Sequence, residues 1–64
     1  MITVTRLNDT QFVINAELIK TIEKTPDTVI TLLNGDRVMV KESVEEIVRR
    51  AIAYARSIRN FAAD

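Results

Sequence analysis

The stretch Val29-Ile30-Thr31-Leu32-Leu33-Asn34-Gly35-Asp36-Arg37-Val38-Met39-Val40-Lys41-Glu42-Ser43-Val44-Glu45-Glu46 decides the fold. Residues 29–33 read as the most apolar strand and as a central one. Asn34-Gly35 follows and tolerates the positive φ of a type I′ turn, so residues 37–41 read as the returning strand, with Val38 and Val40 inward. The period then changes. Ser43-x-x-Glu46 has the form of a capping box, in which the Ser side chain accepts the N–H of Glu46 and Glu46 reaches back. Glu42, Glu45 and Glu46 stand at the start of the expected helix, with Arg49, Arg50, Arg56 and Arg59 along its middle and end; both placements suit the helix dipole.

The helix is expected over residues 43–62. Val44, Val48, Ala51, Ala55, Ile58 and Ala62 follow helical spacing, and so do Ile47, Ala51, Tyr54, Ile58 and Phe61. The two rows merge into an apolar arc of roughly half the circumference, wider than the ~100° that a core-facing stripe needs. One edge of this arc is expected to pack on the sheet. The other, with Tyr54 and Phe61, is expected to face a second copy or a partner.

Working toward the N-terminus, residues 19–24 read as a strand with Ile22 inward, closed by the turn Thr25-Pro26-Asp27-Thr28. Ala16–Leu18 reads as either a single helical turn or a bend. Residues 2–7 and 11–15 alternate apolar and polar side chains around the turn cluster Asn8-Asp9-Thr10, the pattern of a hairpin. Ile2, Val4, Phe12, Ile14, Ile30, Leu32, Val38 and Val40 then share one sheet face, the core beneath the helix. The other face carries Thr3, Thr5, Thr21 and Thr31 with Val13, Val29, Leu33 and Met39. The expected architecture is α+β: an antiparallel sheet of four or five strands (residues 1–41) followed by one C-terminal helix packed on it, as a single domain over 1–64.

Composition bounds the function. The chain has 64 residues, 47% hydrophobic and 28% charged, which is a globular balance. Nine basic residues offset nine acidic ones, for a net charge of zero. That balance disfavours a basic nucleic-acid module. The absence of His and Cys excludes disulfides, Cys/His zinc sites and His-dependent catalysis. A single Gly cannot build a phosphate-cradling loop. There is neither a signal-peptide pattern nor a membrane-spanning run, so any membrane role is expected to come through a partner. A chain this short buries little core, and self-association into a homo-oligomer is expected.

No catalytic constellation or cofactor site emerges. Ser43 has no base to activate it and reads as a helix cap. Asp9, Asp27 and Asp36 read as turn residues. The residues that stand out are Arg49, Arg50 and Arg56, with no acid among them and with Tyr54 and Phe61 alongside. Together they form a candidate surface for a partner or for self-association. Arg with aromatic residues also suits RNA phosphates and bases, which makes a small nucleic-acid-binding regulator the alternative reading.

Three blocks carry a resemblance: Thr5-Arg6-Leu7-Asn8 with Phe12-Val13-Ile14-Asn15; Ile22-Glu23-Lys24-Thr25-Pro26-Asp27-Thr28-Val29-Ile30-Thr31-Leu32 running into Asn34-Gly35; and Val40-Lys41-Glu42-Ser43-Val44-Glu45-Glu46-Ile47. In this order they resemble the small FlbD/SwrD flagellar proteins, over about residues 1–58. The resemblance implies a bacterial, cytoplasmic, non-enzymatic flagellar accessory tied to motor power and swarming. It implies contact with the stator or another motor component and recruitment to the flagellar base at the inner face of the membrane. It assigns no catalytic or ligand residues. Asp36-Arg37-Val38-Met39 and residues 56–64 depart from the family pattern.

Overall fold

A computed structural model describes the backbone of residues 1–63 and the side chains of residues 1–58. Five strands precede one helix: β1 (Ile2–Thr5), β2 (Gln11–Ile14), β3 (Ile19–Lys24), β4 (Thr28–Leu32), β5 (Arg37–Val40) and α1 (Val44–Ala63), with a 3-10 turn over Ala16–Leu18 between β2 and β3. The α+β class follows directly. The strands divide between two antiparallel sheets, β1-β2 and β3-β4-β5, where the sequence suggested one. A bridge between Arg6 and Val40 joins the sheets, and the Lys41 N–H donates to the Thr5 carbonyl at 2.8 Å. The strands therefore follow one another in the order β2-β1-β5-β4-β3. The 3-10 turn lies between β2 and β3, and no ladder joins those two strands.

The loops of the β1-β2 and β4-β5 hairpins are built alike. Arg6 N–H donates to Thr10 C=O at 2.9 Å and Asp9 N–H to Arg6 C=O at 2.9 Å. Leu32 N–H donates to Asp36 C=O at 2.8 Å and Gly35 N–H to Leu32 C=O at 2.9 Å. In each loop the third residue takes a positive φ, +70° at Asp9 and +94° at Gly35. This is the three-residue hairpin loop, not the two-residue type I′ turn expected at Asn34-Gly35, which needs positive φ at both central residues. The extra residue leaves the left-handed conformation to Gly35 alone, and glycine adopts it without strain.

Side-chain alternation places the core. Ile2, Val4, Ile14, Ile30, Val40 and Ile47 are buried, and Phe12, Ile19, Ile22, Leu32, Val38 and Tyr54 pack around them. Each fully buried aliphatic side chain contributes about 1.5–3 kcal/mol relative to exposure. Val13, Leu33 and Met39 are exposed on the opposite face, as the alternation requires. Val29 shares that face yet is buried. It sits on the central strand β4, opposite Glu23 on β3 and Met39 on β5, whose side chains flank it.

The helix starts at the expected place. Ser43 Oγ accepts the Glu46 N–H at 3.1 Å, the capping bond. The reciprocal half of the box is not made, because the Glu46 carboxylate turns to Arg49 and Arg50. Twenty residues give α1 a length of about 30 Å. The strands beneath it are 4–6 residues long, at about 3.3 Å per residue. The last turns therefore extend beyond the sheets, which leaves Ile58 exposed although it shares a row with buried Ile47. Among the described residues no helix is long and apolar enough to cross a membrane.

Candidate functional site

The arginines of α1 have unequal roles. Arg50 faces β1 and is anchored there. Its Nε donates to Glu46 Oε2 at 2.7 Å, and its Nη1 donates to the Thr3 carbonyl at 2.6 Å and to Glu42 Oε2 at 3.2 Å. Glu42 in turn accepts the Thr5 N–H at 2.9 Å and the Thr5 hydroxyl at 2.8 Å. The outer edge of β1 is thus closed by the segment that leads into the helix. Arg50 spends its guanidinium on this clamp and offers little of it to a partner.

The electrostatics agree with the geometry. Burial pushes the Glu42 carboxyl up, but hydrogen bonds from the Thr5 N–H and hydroxyl, together with Arg50, outweigh it and hold the pKa below the usual glutamate value. Hydrogen bonds from Arg49 and Arg50 lower Glu46. Arg50 is raised, chiefly by its hydrogen bond to Glu46.

Arg49 and Arg56 point elsewhere. Arg49 pairs with Glu46 one turn back, yet its side chain stays 71% exposed. Arg56 is exposed, with no carboxylate within ion-pair distance among the described residues. At about 100° per residue, Val48, Arg49, Ile52 and Arg56 fall within an arc of about 100° turned away from Ile47. Exposed Glu45 falls in the same arc, between Val48 and Ile52, 41% and 47% exposed on one side, and the two arginines on the other. The outer face of α1 therefore presents two β-branched apolar side chains in successive turns, bordered on one side by Glu45 and two cations.

Tyr54 is half-buried and packs against the core cluster, so the helix edge expected to face a partner is turned inward at this residue. Phe61 lies in the helix, outside the residues whose side chains are described. Ile52 belonged to neither apolar row read from the sequence. Its helical angle, far from Ile47 and close to Arg56, was the signal that could have singled it out.

The remaining polar candidates have local duties. Asp9 pairs with Lys41 across the join between the sheets. Asn34 Oδ1 accepts the Asp36 N–H at 3.0 Å within the β4–β5 loop. Among the described residues no three acidic side chains gather as a metal site would require. What the outer face of α1 offers is exposed apolar side chains beside charged ones, Glu45 with Arg49 and Arg56.

The model of the FlbD family, described as flagellar and swarming motility proteins, matches residues 1–59. No curated protein and no solved structure matches the chain significantly.

Proposed function

We propose that this chain, which belongs to the FlbD family of flagellar and swarming motility proteins, is a non-enzymatic accessory that supports motor power by binding a stator or another motor component. The observation that carries this reading is the outer face of α1. Val48 and Ile52 supply apolar area that the fold leaves uncovered, and Arg49 and Arg56 supply charge for an acidic rim. Such a face suits a helix or loop of the partner that presents apolar side chains among carboxylates. The protein acts from the cytoplasm and is held at the flagellar base by that contact.

Nucleic-acid binding is the competing reading, with the arginines of α1 on its side. Two facts weigh against it: Arg50 is tied to Glu42 and Glu46, and the net charge is zero. A pull-down of the tagged protein from flagellated cells, with and without nuclease, separates the two. Motor or stator proteins retained after nuclease, and lost with Ile52→Asp, support the accessory reading. Partners released by nuclease, or co-purifying nucleic acid, overturn it.

A further inference from the structure

The two edges of the β1-β2 ribbon are finished differently. Arg6 and Thr10 exchange a backbone bond, so in this register the Val4–Phe12 and Ile2–Ile14 pairs are bonded and the Thr3–Val13 and Thr5–Gln11 pairs are not. The N–H and C=O groups of the unbonded pairs point away from the ribbon. On the β1 side three of the four are occupied: the Thr3 carbonyl by Arg50, the Thr5 N–H by Glu42 and the Thr5 carbonyl by the Lys41 N–H. On the β2 side Gln11 and Val13 present theirs without a partner among the described residues.

The other outer strand of the strand order, β3, is protected. It carries Lys20, Glu23 and Lys24, and its register breaks between Ile19 and Thr21. Charges and irregularities of this kind block edge-to-edge pairing. In contrast, β2 reads Gln11-Phe12-Val13-Ile14, has no charge and keeps an unbroken register. Val13 stands 62% exposed beside the open edge.

We propose that β2 pairs antiparallel with β2 of a second copy of this chain, about a two-fold axis through Phe12. Gln11 then lies opposite Val13 of the second copy, and each of these two pairs exchanges both backbone bonds. The strand is self-complementary in this register. Being uncharged, it meets its own copy without repulsion, and two ribbons become one four-stranded sheet. The pairing leaves Val48, Arg49, Ile52 and Arg56 untouched, so it stands independently of the docking face of α1.

The test is amide hydrogen exchange of the full chain across a dilution series, beside sedimentation equilibrium. The expected result is a dimer in which the Gln11 and Val13 amides gain protection with concentration while the outward-facing Ile22 and Lys24 amides of β3 do not. Val13→Pro removes a donor that a lone chain leaves in water, a position where an edge strand tolerates proline. It should weaken the dimer about tenfold or more with the far-ultraviolet spectrum retained. A monomer at high micromolar concentration would overturn the proposal. So would a dimer whose Gln11 and Val13 amides exchange freely, a test on the wild-type chain that holds even if Val13→Pro does not fold.

Discussion

Glu42 holds Thr5 with both carboxylate oxygens, Oε1 on the backbone N–H at 2.9 Å and Oε2 on the hydroxyl at 2.8 Å. The contact joins residues 37 positions apart. With Arg50 on the Thr3 carbonyl, it ties the start of the helix to the first strand and ends the β1 edge. Glu42→Gln keeps the shape but gives up the charge, and the amide must turn its NH₂ group toward one of its partners. A loss of about 1–3 kcal/mol in unfolding free energy is expected by chemical denaturation. Thr5→Val, which removes the hydroxyl alone, should cost less. Equal stability of Glu42→Gln and wild type would mean that the clamp contributes nothing in solution.

The same contact fixes a pH dependence. The folded pKa of Glu42 lies below its unfolded value, so the unfolded chain binds the proton more readily. The stabilisation is therefore fully present above the unfolded value of about 4.3 and is lost as pH falls through the lower, folded one. Glu46 is shifted the same way and contributes in the same window. Thermal melts should show wild type losing stability below about pH 4.3, with a shallower loss in Glu42→Gln. Parallel profiles would place the acid sensitivity elsewhere.

Gly35 allows a test of the loop geometry free of steric clash. Its φ is +94°, and an added Cβ would meet no atom within 4 Å. Gly35→Ala should therefore cost only backbone strain, about 1–2 kcal/mol, with Gly35→Asn costing less. An unchanged or raised denaturation midpoint for Gly35→Ala would contradict the positive φ.

Ser43→Ala removes the acceptor of the Glu46 N–H. A loss of about 1 kcal/mol is expected, and Ser43→Asp should retain most of the stability. If neither variant moves the midpoint, the helix starts elsewhere.

Much of this fold was legible in the residues, because alternation and helical spacing are local. Ile2 and Val4, Ile14, Ile30 and Val40 lie inward as their period demands, and Ser43 caps the helix as its spacing to Glu46 suggests. What escaped is set by residues distant in the chain. The split into two sheets depends on where Arg6 meets Val40. The burial of Val29 comes from neighbours on two other strands. The duties of Arg50 and Glu42 depend on Thr3 and Thr5, and no helical period reports that. Among the candidate site residues, Arg49 and Arg56 lie on the outer face, Arg50 is taken up by the clamp and Tyr54 packs on the core. The centre of that face, Ile52, was missed because its helical angle lies just beyond the row that ends at Val48, and the exposure of Val48 was not legible from spacing either.

The central claim is that the outer face of α1 delivers motor power through a partner. Its most direct measurement is the torque of single motors, read from bead rotation under load, in cells carrying Ile52→Asp, with filaments counted in the same strain. Ile52 is 47% exposed, so this substitution should leave the fold standing. The account predicts torque reduced toward that of the deletion strain, with filaments present in normal number. Undiminished torque with the variant protein present at normal levels, or the loss of filaments, would contradict it.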